Sequence, residues 1–231
     1  MKTKAEVLKK NQLTDVLLVI AVLGSLWGLS EVVLSGAIRM TGIPFRAGIL
    51  AGIGIGLIAV AVGAFRRMGI ILLIPIIAVL CKQLVVPILG VSVMCKVNSC
   101  VAVMLEGFAV TGVVYLARRK LAGNRLMQIA CGTSAALLAA GIFYFAGMRL
   151  APCNYLLSFN RSHGFVSFMA VEGLVWAAFS AVLFPLGYRI GVWLRDSELT
   201  LKKKSLSYYI AAAAIVVGSW TASAFAIAAG F

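Results

Sequence analysis

Acidic residues are scarce in this chain. Its 231 residues hold seven Asp and Glu against 21 Lys and Arg, and a single histidine. Charged residues of both signs make up 12%, about half of the roughly 25% in an average soluble domain, so a soluble globular domain is excluded. With one histidine, a His-based membrane hydrolase or acyltransferase would lack parts. The patterns G-x-S-x-G, H-E-x-x-H and Walker A are all missing, so no ATPase is encoded and any ATP dependence must come from a partner. No enzyme activity, cofactor or metal centre is expected. Five cysteines, an odd number, do not make a disulfide framework by count.

What is present is apolar. Hydrophobic residues reach 62% and the mean hydropathy is +1.05. The formal charge of +14 does not point to nucleic acid, because the basic residues sit in short clusters between apolar runs, as in the loops of membrane proteins. The runs are continuous rather than alternating, which excludes a barrel. Each is long enough for a helix crossing a core of about 30 Å.

The expected fold is all-α: one integral membrane domain over 1–231, with seven transmembrane helices. The expected spans run from about Asp15 to Ile38, Ala47 to Phe65, Gly69 to Met94, Asn98 to Ala117, Leu126 to Leu150, Phe165 to Leu194 and Ser207 to Ala229. Residues 1–14 form a basic tail, 15–194 a six-helix core, and 207–229 an extra C-terminal helix. The run after Asp15 is too long for a signal-peptide core and lacks a small-residue cleavage site, so it is read as the first span. With the N-terminus inside, fifteen of the 21 Lys and Arg fall in cytoplasmic segments, among them Arg66, Arg67, Arg118, Arg119 and Lys202 to Lys204. Five (Arg39, Arg46, Lys96, Arg149 and Arg161) fall outside, and Lys82 lies within a span. That bias follows the positive-inside rule and places Phe231 outside, in a cell (inner) membrane.

Three of the seven acids lie inside spans: Glu31, Glu106 and Glu172. At about 1.5 Å per residue each is roughly 10–12 Å from the outer end of its span, so all three share one level. Intramembrane acids face the bundle interior or water and mark pathways or structural pairs. Lys82 and Gln83 lie in the third span just before Pro87. A lysine at that depth needs a carboxylate or gives up its proton, so a pair with one of the glutamates is one reading. Three acids against one base leave an excess that suits a cationic ligand, a metal ion or protons. Candidate substrate-binding residues are therefore Glu31, Lys82, Gln83, Glu106 and Glu172, with Asn98 at the outer end of the fourth span. Glu106 ranks first because Gly107 leaves room beside it. Among the outer cysteines, Cys100 with Cys153 or Cys95 with Cys153 suits a disulfide, and two thiolates with Met94 or Met104 would suit a soft metal.

Small residues recur at four-residue spacing: Gly48, Gly52 and Gly56 in the second span, Gly24 and Gly28 in the first. Such stripes let helix backbones approach, either within the bundle or against a partner membrane protein.

The segments LWGLSEVVLSGAIRMTGIPFRAG and KVNSCVAVMLEGFAV, the short outer loop before a Gly-rich second helix and the Glu in the fourth span resemble substrate-binding (S) components of energy-coupling factor importers, or relatives of that group. The resemblance covers the first six spans. It implies a six-helix protein that binds a vitamin or metal ion near the outer face and docks on a membrane coupling protein driven by two cytoplasmic ATPases. Docking in that family uses small residues on the first helix, here matched by Ala21 with Ser25 and Gly24 with Gly28. The cobalt and nickel members have seven helices but begin Met-His, whereas this chain begins MKTK. Two other classes stay open: a stand-alone secondary transporter with Glu106 or Glu172 as the proton-coupling acid, and a small membrane enzyme or assembly factor with no transport role.

Reporter fusions at Lys203 and at Phe231 are expected to report opposite sides of the membrane. The same side for both would overturn the topology.

Overall fold

The computed structural model describes residues 4–65, 68–200 and 206–231. Lys2, Arg66, Arg67 and Lys202 to Lys204 lie outside them, as do the side chains of Lys4, Lys9 and Lys10. Seven helices are long and apolar enough to cross a membrane: Leu13–Thr41, Arg46–Ala64, Gly69–Leu89, Val93–Ala117, Arg125–Leu150, Gly164–Ser197 and Leu206–Ala228. They are called the first to seventh spans below. No strand occurs among the described residues. The chain is a multi-pass helical membrane protein.

The expected third span reaches Met94, but the helix stops at Leu89. Gly90 follows with φ of 64°, a left-handed cap that glycine adopts without strain. Val93 to Lys96 then form a 3-10 turn that opens the fourth span. The third span is also broken twice within its length, after Ile71 and after Lys82. Each break lies upstream of a proline, Pro75 and Pro87, whose missing N–H leaves the carbonyl four residues back without its helical donor. For Pro87 that carbonyl is Gln83's, which accepts from Val86 N at 3.0 Å instead.

Six spans close a ring in the order first, second, sixth, fifth, fourth, third, and the seventh packs outside it on the first and third. The second span also reaches the fourth across the middle. It is the most enclosed: 72% of its apolar window is buried, against 22% for the seventh. Trp27, Ile55, Ile58, Val110 and Phe184 form the centre of the core, all fully buried.

The second and sixth spans make the most extensive contact. Its cause is a seam of glycines on both helices. A Cβ on Gly48, Gly52 or Gly56 would meet Val175, Phe179 or Leu183, and one on Gly187 or Gly191 would run into the carbonyl oxygens of Gly56 or Val60. Without side chains between them the two backbones come into van der Waals contact, the main attraction between helices in lipid. For the second span, the reading of its stripe as contact within the bundle is correct.

The same holds in the first span, whose glycines were the expected docking positions. A Cβ on Gly24 would lie 2.7 Å from Ile77 Cβ and one on Gly28 2.5 Å from Cys81 Cβ, both on the third span. Ser25 is fully buried, and its hydroxyl accepts from Trp220 Nε1 of the seventh span at 3.0 Å. Ala21 alone of the four is neither fully buried nor tied by a close glycine contact. Gly24, Ser25 and Gly28 are covered by the chain's own helices and present no free face.

Gly187→Ala should lower stability by about 1–3 kcal/mol, because its methyl group meets backbone that cannot yield. Gly112→Ala, where a Cβ meets nothing within 4 Å, should be neutral or raise stability by up to about 1 kcal/mol. Thermal unfolding in detergent separates the two.

Candidate functional site

At the end of the bundle that holds residues 42–45, 90–92 and 151–163, a cavity of about 290 Å³ enters between the spans. It is lined from exposed Arg46, Cys95 and Tyr155 down to buried Glu31, Lys82 and Glu106. Of the expected binding residues, Glu31, Lys82, Asn98, Glu106 and Glu172 all line it. Gln83 does not. Its Nε2 donates to Val93 O and to Cys100 Sγ, both at 3.4 Å, tying the break in the third span to the start of the fourth.

Two of the three glutamates sit in π-helical turns, Ser30–Leu34 and Met169–Gly173. A π turn inserts one residue into an α-helix and is frequent at functional sites. Irregular backbone at membrane depth is tolerated where it is enclosed by protein or lines a cavity. Both conditions are met for Glu31, and the second for Glu172.

The glutamates differ in their partners. Glu31 Oε2 accepts from Lys82 Nζ in a buried ion pair between the first and third spans. Glu172 accepts from Tyr155 Oη at 2.5 Å and from Trp176 Nε1 at 3.2 Å, with no cation paired to it among the described residues. Burial, and then the bond to Glu172, push the Tyr155 hydroxyl above the ordinary tyrosine range, so it remains a donor. Glu106 is 3% exposed and its Oε2 has no hydrogen-bond partner. Gly107 does not give it room in the expected way: a Cβ there would meet Pro75 of the third span, so the glycine admits a neighbouring helix.

The expected excess of negative charge does not hold for the cavity as a whole. Arg46 and Lys96 join Lys82 in the lining, so three cations face three carboxylates. The charges are separated, however. Arg46 and Lys96 have no ion pair among the described residues and lie towards the mouth, while the unpaired Glu106 lies deep.

Opposite the polar floor is an aromatic wall that the sequence reading did not identify. Phe143 of the fifth span stacks on Trp176 of the sixth, with centroids 6.0 Å apart at 30°, and lies 6.4 Å from Phe168. A signal for it exists: Phe168, Glu172 and Trp176 recur every four residues and so share one helix face.

All five cysteines are free, so neither expected disulfide is formed. Asn98 Nδ2 donates to Cys153 Sγ at 2.9 Å, whereas Cys100, two residues on, accepts from Gln83. Two positions are about 200° on a helix, so Cys100 faces away from Cys153. Cys95 and Cys153 both border the cavity without a bond between them. No group of three His, Cys, Asp or Glu that could hold a metal ion occurs among the described residues.

No protein-family model, curated protein or solved structure matches the chain.

Removing one member of the buried pair leaves the other charged and unpaired. Lys82→Met should cost about 3–5 kcal/mol, and the double variant Glu31→Leu with Lys82→Met should recover most of it. Unfolding midpoints of the wild type, the two single variants and the double variant measure this.

Proposed function

We propose that the chain is a membrane transport protein that captures a small organic cation in this cavity. The observation that carries the reading is Glu106, a buried carboxylate with an unpartnered oxygen that lines the cavity. An isolated carboxylate there is costly unless something answers it. A cationic nitrogen would supply the missing charge and hydrogen bond. The faces of Phe143, Phe168 and Trp176 would hold its apolar body and add cation–π attraction. An organic cation fits better than a bare metal ion, since the described residues offer no set of three ligands.

In this reading the N-terminus is cytoplasmic, the C-terminus outside and the cavity open to the outside of the cell membrane, following the distribution of Lys and Arg. If the protein serves as the capture subunit of an importer, as the resemblance implies, ATPase subunits and a membrane coupling protein supply the energy. Its docking face then lies elsewhere than Gly24 and Gly28. The unpaired Glu106 equally favours a second reading, a stand-alone transporter in which that carboxyl carries a proton. Uptake that survives ATP depletion but stops when the proton gradient is collapsed would select the second.

Native mass spectrometry of the protein purified from its own membranes tests the site. The wild type should carry a small cationic solute. Glu106→Gln keeps the shape and removes the charge, and should lower occupancy roughly tenfold or more, as expected for one charge-assisted contact. Unchanged occupancy in Glu106→Gln and in Glu172→Gln would overturn the reading.

A further inference from the structure

Behind the Glu31–Lys82 pair lies a second cavity of about 180 Å³, closed on its apolar side by Ile227 and Phe231 beyond the seventh span's middle. Its charged lining is mainly cationic. Arg39, Arg46, Lys82 and Lys96 face it, and Glu31 is its only acid. Glu31 is already engaged by Lys82, which is itself 7% exposed. Arg39, Arg46 and Lys96 have no ion pair among the described residues. Arg39 spends one donor, Nη2, on the carbonyl of Gly230 at 3.3 Å and keeps the rest of its guanidinium.

Three like charges around so small a space repel one another, less so where water reaches exposed Arg39 and Arg46, and an anion between them relieves that repulsion. Among the described residues no carboxylate lies within ion-pair distance of Arg39, Arg46 or Lys96. Two guanidinium forks, an ammonium and the hydroxyl group of Ser35 form a donor set suited to a tetrahedral oxyanion; the Ser99 hydroxyl donates to the Lys96 carbonyl at 3.0 Å.

We propose that this second cavity binds a phosphate group. Glu31, Ser35, Arg46, Lys82, Lys96 and Ser99 line both cavities, whereas Arg39, Ile227 and Phe231 belong to the second alone. It lies beside the seventh span, at the level where Arg39 ends the first span and Arg46 begins the second. That is the level of phospholipid headgroups, so the phosphate can come from an anionic lipid or from solution.

The test uses the full chain, delipidated in a neutral detergent. Its unfolding midpoint is followed against inorganic phosphate, with chloride at equal ionic strength as reference, and against short-chain phosphatidylglycerol, with phosphatidylcholine as reference. A saturable rise of about 3 °C or more is expected with at least one of the two. A rise with phosphatidylglycerol alone assigns a lipid headgroup, and a rise with inorganic phosphate assigns a soluble source. The rise should be lost in Arg39→Gln and in Lys96→Gln, side chains exposed enough for the fold to survive, and kept in Arg161→Gln, a cation outside the cavity. No rise with either ligand, or a rise that persists in Arg39→Gln and Lys96→Gln, overturns the proposal.

Discussion

An ammonium group between helices in a bilayer imposes more order than any apolar contact, because hydrocarbon offers it nothing. Lys82 must find a carboxylate, and Glu31 answers it from the first span. The backbone is irregular on both sides of that bond. Glu31 lies in a π turn, and the helix carrying Lys82 ends at that residue and resumes at Val85. Backbone departures of this kind persist only where protein or an internal cavity takes up the freed groups. The pair is thus a strut between two helices and also the partition between two cavities of different character: one with an unpaired acid and an aromatic wall, the other with an excess of cations.

The opposite half of the ring is built on another principle. The second and sixth spans meet through glycines on both sides, so their backbones are held at a distance that no side chain can adjust. This seam begins at Val175, Gly48's contact on the sixth span, which Glu172 and Trp176 flank. The cavity therefore lies between a stiff wall and one with broken helices in it. Adaptation to a ligand falls to the first and third spans.

The number of spans was legible in the sequence, because it depends on run length. Which acid takes Lys82 was not. That depends on which helices are neighbours, and the ring order does not follow chain order. The glycine stripes were legible as stripes, while their partners were not: Gly24 and Gly28 matched a docking pattern but meet Ile77 and Cys81. The π turns left no mark, since one extra residue in a turn does not alter an apolar run. The charge balance was misjudged because Arg46 and Lys96 sit at span ends, where sequence alone cannot say whether a long side chain turns to headgroups or inward.

The seventh helix has a consequence for how the protein is made. It lies outside the ring and follows the other six in the chain, yet it covers Ser25 with Trp220, and Ile227 and Phe231 at its end close the second cavity. Until it inserts, the first and third spans must present to lipid a face with a buried hydroxyl and the flank of an ion pair. The membrane insertion machinery has to shelter that face for the time needed to synthesise everything from the fourth span onward. Insertion of this one helix thus seals a polar flank that the earlier six do not cover.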